Sequence, residues 1–154
     1  MTIKQQVGTV ARMLLDEHTC DAMVLHCIDF RFWRALHHFV ETKLGIYDFD
    51  LLSLPGGAKN FDDPTEDFMF EAAELSAVNA KRLHHIKKFV LTNHIDCGAY
   101  GGSAKHATRE DEIAFHTAEL KKAAKVLRKK FPTLEVIAVF VSRRDDDVDF
   151  LVIG

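Results

Sequence analysis

The chain has 154 residues, of which 47% are hydrophobic and 28% are charged, and its formal net charge at pH 7 is −3. These fractions are ordinary for a globular protein, and the weak negative charge gives no basis for binding nucleic acid or an anionic membrane surface. No apolar run approaches the roughly 18 to 20 residues that a membrane-spanning helix needs. We therefore expect a single domain over residues 1–154, with neither nucleic acid nor a membrane as a partner.

The cysteine content favours a reducing compartment. Three cysteines is an odd number, and the first residues lack the charged-then-apolar layout of a secretory signal. A disulfide framework is therefore not expected, and we predict a cytoplasmic protein whose thiols are free to bind a metal. Cys20 has no motif around it and is interpreted as a structural residue.

The first part of the chain predicts a helix, a strand, a helix and a second strand. Within residues 1–18, apolar side chains at three- to four-residue steps predict an N-terminal helix, which could pack on its own domain or on a partner subunit. The apolar run over residues 22–27 predicts a strand covered on both faces, and residues 32–43 predict the helix that follows it. Residues 50–54 predict the second strand, which Pro55-Gly56-Gly57 ends.

A capped helix is predicted after the second strand. Asp63 resembles an N-cap residue, with Pro64 at the first helical position and Glu66 where the acidic partner of a capping box would lie. This helix would extend to about His84. We expect its buried face to consist of Phe68, Ala72, Leu75 and Val78.

Residues 88–93 predict the third strand, and a Gly-rich turn follows it. Thr108, with Asp111 three residues later, predicts another capped helix, which would end before Pro132.

The last third of the chain predicts a strand pair. Residues 135–141 are rich in β-branched side chains and predict a fourth strand, and residues 149–153 predict a short last strand after a charged turn. Strands alternate with helices until this final pair. The pattern predicts an α/β fold with a mainly parallel central β-sheet of four strands plus an antiparallel edge strand, flanked by helices.

Candidate metal ligands follow two of these strands. Cys27 ends the first strand, and His94 and Cys97, three residues apart, follow the third. Ligands bind beyond the carboxyl ends of the strands in open α/β sheets, so these side chains converge if the two strands are neighbours. Two thiolates and an imidazole suit one tetrahedral Zn²⁺ ion, and three protein ligands leave the fourth position for water. The pattern predicts one zinc ion per subunit.

Asp29, two residues after Cys27, has two possible roles. It could be the fourth zinc ligand, which would close the site. Alternatively, Arg31 could hold it in a charge-assisted pair, so that its carboxylate accepts a hydrogen bond from zinc-bound water. Because hydroxide and carboxylate would compete for one coordination position, the balance between the open and the closed site would depend on pH.

The pattern Cys27-x-Asp29-x-Arg31, followed by His94-x-x-Cys97, resembles the zinc-site signature of the β-class carbonic anhydrases. The resemblance implies reversible hydration of CO₂ to bicarbonate by zinc-bound hydroxide. It implies Cys27, His94 and Cys97 as the metal ligands. Asp29 and Arg31 would form a catalytic dyad, with Asp29 a ligand only in a closed state. It also implies at least a homodimer, in which an N-terminal helix embraces the partner subunit.

The resemblance also implies a substrate pocket around the metal. We predict that Phe30, Gly98 and Tyr100 bind the substrate, with Gly98 in the tight turn beside the metal. Phe32 is a further candidate for an apolar wall that would hold the uncharged CO₂ molecule. The sequence offers several histidines as proton shuttles and does not choose between them: His26, His106 and His116.

Three positions depart from the family pattern. Phe30 stands where the family usually has Ser, residues 54–60 replace an Arg-Asn-Ala-Gly-like segment, and Asn93 stands where Gly commonly precedes the metal-binding His. None removes a ligand, but together they leave the substrate open. Two alternatives therefore stand beside CO₂ hydration. One is hydrolysis of CS₂ or COS at the same site, and the other is a non-catalytic zinc-binding protein whose site Asp29 closes.

Overall fold

The computed structural model describes residues 18–154, so the predicted helix near the N-terminus lies outside the described part of the chain. Five strands form one sheet with the order β2-β1-β3-β4-β5. The first four strands pair in parallel and the last is antiparallel to its neighbour. This is the predicted fold class, and the strands are β1 (Ala22–His26), β2 (Phe49–Ser53), β3 (Lys88–His94), β4 (Glu135–Arg144) and β5 (Asp147–Ile153).

In the described part of the chain, four α-helices connect and flank the strands: α1 (Trp33–Thr42), α2 (Lys59–Asp62), α3 (Asp67–Leu83) and α4 (Arg109–Lys130). Every residue of β1 is buried, as is β3 beyond its first residue, which is the burial expected of central parallel strands covered on both faces. Within residues 18–154, no helix is both long enough and apolar enough to cross a membrane.

The predicted start of α4 is confirmed. The Thr108 side chain accepts a hydrogen bond from the Asp111 backbone N–H, and the Asp111 carboxylate accepts one from the Thr108 backbone N–H. This reciprocal capping box satisfies two backbone donors that the first helical turn leaves unpaired. The helix ends at Lys130, just before Pro132, because proline cannot continue the hydrogen-bond ladder.

The predicted capping role of Asp63 is wrong. Asp63 instead follows the short helix α2, and its carboxylate pairs with the Lys59 ammonium at 2.7 Å. The pairing removes Asp63 from any helix N-terminus, and α3 begins only at Asp67, where Glu66 precedes it without a side-chain cap. The local spacing resembled a capping box, but Asp63 ends α2 and does not begin α3.

The predicted buried face of α3 is also wrong. The buried side chains are Ala73, Ala77 and Ala80, whereas Phe68, Leu75 and Val78 are 66%, 61% and 42% exposed. Ala72 is exposed as well. The small alanines let α3 approach its neighbours closely, and the larger apolar side chains lie on a different face. This exposed apolar face of α3 is defined by Phe68, Leu75 and Val78.

The hairpin between β4 and β5 is tighter than the charged turn predicted over residues 143–147. Arg144 pairs with Asp147, so the turn is reduced to Asp145 and Asp146, and Asp145 has φ +52°. Aspartate tolerates this left-handed conformation better than most residues, which allows the strands to pair nearly to the tip.

The fold opens a crevice between β1 and β3. The chain leaves β1 to form β2 on one side and returns to form β3 on the other, so this pair is the point at which the strand order reverses. Leu25 lies opposite Leu91 in the parallel register, so both strands end at the same edge. The segments after β1 and β3 therefore meet.

Gly57, in the loop after β2, packs directly against the backbone of these strands. It has φ +53°, and an added Cβ atom would lie 2.3 Å from the Thr92 carbonyl oxygen and 3.3 Å from the Cys27 nitrogen. Only glycine permits both this conformation and this approach. The loop is held there because the Ala58 N–H donates to the Thr92 carbonyl at 2.9 Å.

We expect Gly57→Ala to lower the free energy of unfolding by about 1 to 3 kcal/mol more than Gly45→Ala does. Gly45 has a similar φ of +66°, but an added Cβ would meet no described atom within 4 Å, so it controls for backbone strain alone. Urea unfolding followed by far-UV circular dichroism would measure both. Equal losses in the two variants would contradict the close approach of Gly57 to β3.

Candidate metal centre

The three predicted ligands converge at the carboxyl ends of β1 and β3. Cys27, His94 and Cys97 are all buried, and a ligand atom from each lies within 4.8 Å of the other two. The two sulfur atoms are 4.0 Å apart. Two sulfurs bound to a tetrahedral zinc ion at about 2.3 Å would be separated by about 3.8 Å, so little movement is needed to admit the metal.

The imidazole of His94 is oriented for a metal. Its Nδ1 lies 2.8 Å from the Ile95 carbonyl oxygen and can only donate to it, which leaves the lone pair on Nε2. That Nε2 atom is buried and has no hydrogen-bond partner among the described residues. The Phe32 ring packs 4.7 Å from the His94 ring and helps to hold it. A buried acceptor without a donor, beside two thiols, fits Zn²⁺.

The two thiols share a hydrogen bond that shifts their pKa values in opposite directions. The contact between the two sulfur atoms lowers the pKa of Cys27, and the same contact together with burial raises the pKa of Cys97. The Gly56 backbone N–H also donates to the Cys27 sulfur at 3.3 Å. Cys27 is therefore the more acidic of the two thiols, and binding of a divalent cation by both sulfur atoms would release the proton that they share.

Asp29 and Arg31 form the predicted pair. The guanidinium contacts both carboxylate oxygens, with an Nη2–Oδ2 distance of 2.6 Å and an Nε–Oδ1 distance of 3.0 Å. These hydrogen bonds lower the pKa of Asp29. Arg31 also donates to the Asp96 carboxylate at 3.2 Å, so it links the loop after β1 to the loop after β3. The Asp29 Oδ2 atom lies 3.9 Å from His94 Nε2, at the edge of the ligand set.

A cleft of about 580 Å³ opens beside the ligands. Phe30, which is 81% exposed, and Gly98 line it, and a role of either in binding substrate stays a prediction. Tyr100 does not line it. The Tyr100 ring is buried behind the loop, and its hydroxyl accepts a hydrogen bond from Asn93 Nδ2 at 3.0 Å. The other lining residues are Cys27, Ile28, Asp29, Arg31, Pro55, His94 and Ala99.

None of the predicted proton-shuttle candidates lines this cleft. His26 is buried and its Nδ1 lies 2.6 Å from the Cys27 carbonyl oxygen. His106 and His116 lie together on the far side of the Cys97–Tyr100 turn, where the Tyr100 and His116 rings are 4.8 Å apart.

Two residues that the motif did not indicate support the site. Asn93 is buried, and besides holding Tyr100 it accepts a hydrogen bond from the Ala58 N–H at 3.1 Å. Glu112, on α4, accepts a hydrogen bond from the Asp96 N–H at 2.6 Å, within the turn between His94 and Cys97. Asn93 takes the place of a glycine in the family pattern, which marked the position as unusual. Glu112 carried no local signal because its partner is 16 residues away.

Residues 17–151 match a family model described as "Putative carbonic anhydrase". The chain belongs to this carbonic anhydrase-like family. An uncharacterised protein of Rickettsia conorii is 31% identical over 138 residues, covering 87% of this chain and 73% of the relative.

Solved structures of carbonic anhydrases share the fold of this family member. The carbonic anhydrase of Streptococcus mutans superposes with a TM-score of 0.60 at 15% identity, covering 94% of this chain and 87% of that one. One of two tetrameric β-carbonic anhydrases from Sordaria macrospora superposes with a TM-score of 0.54 at 17% identity, covering 88% of this chain and 81% of that one. At these identities the likeness establishes the β-carbonic anhydrase fold.

We expect Cys97→Ser to weaken metal binding by more than about 100-fold, because a ligand is lost from the inner coordination shell. The measurement is a Co²⁺ titration followed by the thiolate-to-cobalt charge-transfer absorption. Cys20→Ser is the matched control, since Cys20 lies outside this ligand set. Retention of the original affinity and band intensity in Cys97→Ser would remove Cys97 from the site.

Proposed function

We propose that the protein is a zinc-dependent carbonic anhydrase of the β type, which hydrates CO₂ reversibly to bicarbonate and a proton. The observation that carries the proposal is the convergence of Cys27, His94 and Cys97 beside a cleft, with Asp29 held by Arg31 at its edge. The family match and the shared fold support it.

The three ligands would hold the metal, and a bound Zn²⁺ supplies the Lewis acidity that makes water a nucleophile near neutral pH. The Asp29–Arg31 pair would orient that water. Both Asp29 oxygens are engaged by Arg31, so the carboxylate is turned toward the guanidinium and can still accept a hydrogen bond from water in the cleft. This arrangement favours an open site over one closed by Asp29.

The cleft suits a small uncharged substrate. Its wall includes the apolar side chains of Ile28, Phe30, Pro55 and Ala99. An apolar surface holds CO₂ without competing for its oxygens. The same chemistry would admit CS₂ or COS, so the substrate must be decided by assay.

The proposal includes a homodimer in a reducing compartment such as the cytoplasm. The exposed apolar face of α3 (Phe68, Leu75 and Val78) would be covered in a subunit interface. The structurally similar β-carbonic anhydrase of Sordaria macrospora is a tetramer. A site with two thiolate ligands requires reduced cysteines, which agrees with the cytoplasm.

The deciding experiment is stopped-flow CO₂ hydration on protein of verified zinc content, scanned from neutral pH to about pH 9. We expect activity that rises with pH. Zinc-loaded protein without CO₂ turnover would overturn the proposal, and assays with CS₂ and COS would then separate a hydrolase from a non-catalytic zinc protein.

We expect Asp29→Asn to keep the metal but to lower kcat/KM for CO₂ by about 100-fold, because the neutral amide is a weaker acceptor and no longer pairs with Arg31. Asp63→Asn removes a comparable ion pair, with Lys59, outside the cleft and should leave kcat/KM unchanged. Equal turnover in Asp29→Asn and the unmodified protein would exclude Asp29 from the mechanism.

We expect Leu75→Glu to shift the protein from dimer to monomer, because a carboxylate would be buried in the proposed interface without a partner. Sedimentation velocity at matched concentrations would measure the shift. Lys81→Glu places the same charge at another exposed position of α3 and serves as the control. A monomeric unmodified protein, or a dimer that survives Leu75→Glu, would contradict an interface on this face.

A further inference from the structure

A second group of metal-ligating side chains lies behind the turn that carries Cys97. His106, Glu112 and His116 each offer a ligand atom within 4.8 Å of the others. Glu112 and His116 are four residues apart on α4, which places them on one face of the helix, and His106 enters from the preceding loop. None of the three belongs to the Cys27, His94 and Cys97 site.

His116 is the unusual member of this cluster. Its side chain is 1% exposed, and neither ring nitrogen has a hydrogen-bond partner among the described residues. Buried polar atoms are nearly always paired, directly or through a bound water or ion. The perpendicular Tyr100 ring, 4.8 Å away, can serve at most one nitrogen through a weak N–H···π contact. The other nitrogen is left to a ligand.

His116 is suited to donate a lone pair. Burial lowers the pKa of its imidazole to about 4, so the ring is neutral near neutral pH. The Phe140 ring stacks on it at 5.4 Å and fixes its plane. A neutral imidazole is the form that binds transition metals.

Glu112 is a second, independent indication of a bound cation. Its side chain is 2% exposed, and within residues 18–154 no Lys or Arg nitrogen lies within 4.0 Å of its carboxylate. It accepts from the Asp96 N–H and from the Ser103 hydroxyl, each at 2.6 Å, which leaves further lone pairs on both oxygens. Its Oε1 atom lies 3.9 Å from His116 Nε2, a separation that a cation about 2.0 to 2.2 Å from each atom can bridge.

We propose that His106, Glu112 and His116 form a second metal site, which binds a divalent transition-metal ion of the Zn²⁺ class. Two imidazoles and one carboxylate are an established zinc ligand set, and the carboxylate balances part of the charge of the metal. The second site adjoins the first, because Glu112 accepts a hydrogen bond from the backbone N–H of Asp96, which lies between His94 and Cys97.

A Co²⁺ titration of the metal-free protein separates the two sites by their donor atoms. The first site has two thiolates and gives a sulfur-to-cobalt charge-transfer band. The second has only nitrogen and oxygen donors and gives d–d absorption alone. We expect about two Co²⁺ ions per chain, of which one produces no charge-transfer absorption.

Two variants assign the second ion. His116→Phe preserves the aromatic stacking on Phe140, and His106→Ala changes a half-buried loop residue, so the two would not fail to fold for the same reason. Each should lose the sulfur-free equivalent and keep the charge-transfer band. His38→Ala, at an exposed position of α1, is the matched control and should retain both ions.

A single Co²⁺ ion per chain in the unmodified protein would overturn the second site. A second equivalent that persists in both His116→Phe and His106→Ala, or that adds charge-transfer intensity, would do the same, because it would lie elsewhere, for example at Cys20, Asp50 and His84. CO₂ hydration is measured separately, so failure of this site and failure of the proposed function are distinguishable.

Discussion

The parallel pairing of β1 with β3 is the constraint on which the candidate site depends. Each strand places candidate ligands at or just past its carboxyl end, and the strand order reverses between the two strands, which is where open α/β sheets form a crevice. Burial of all of β1 fixes that strand in the core, and the register Leu25–Leu91 brings both ends to one edge. Cys27 and Cys97 are 70 residues apart in the chain, and the pairing of these strands brings their sulfur atoms to 4.0 Å.

The segments beyond the strands are then linked by polar contacts. Arg31 joins Asp29 to Asp96, and Asn93 joins the Ala58 backbone to the Tyr100 hydroxyl. Such contacts fix the ligands in position before a metal binds, so less ordering is required at the moment of binding. The loop after β2 can approach β3 because Gly57 has no side chain that would clash with the Thr92 carbonyl.

Two buried polar side chains of α4, Glu112 and His116, lie next to the turn that contains Asp96. Glu112 accepts a hydrogen bond from the Asp96 N–H, and beyond it lies the imidazole of His116, which has no hydrogen-bond partner within residues 18–154. Buried polar groups destabilise a fold unless their partners are present, and a low local dielectric strengthens the interactions that satisfy them. The two candidate metal sites thus share one feature, a buried imidazole nitrogen without a hydrogen-bond partner in the described part of the chain.

The sequence by itself determined the fold class, the order of the strands along the chain and the three residues of the first candidate metal site. These follow from local patterns: apolar runs, the capping box at Thr108, and the spacing of Cys27, His94 and Cys97. The tertiary structure decided which face of α3 is buried, because apolar spacing cannot distinguish the core from an exposed face that a subunit could cover. It decided where Asp63 and Tyr100 lie, because the short helix α2 and the hydrogen bond from Asn93 to the Tyr100 hydroxyl depend on packing that local spacing does not reveal. It also brought Glu112 beside Asp96, since contacts between distant residues arise from the packing of α4 on the sheet and leave no periodic trace in the sequence.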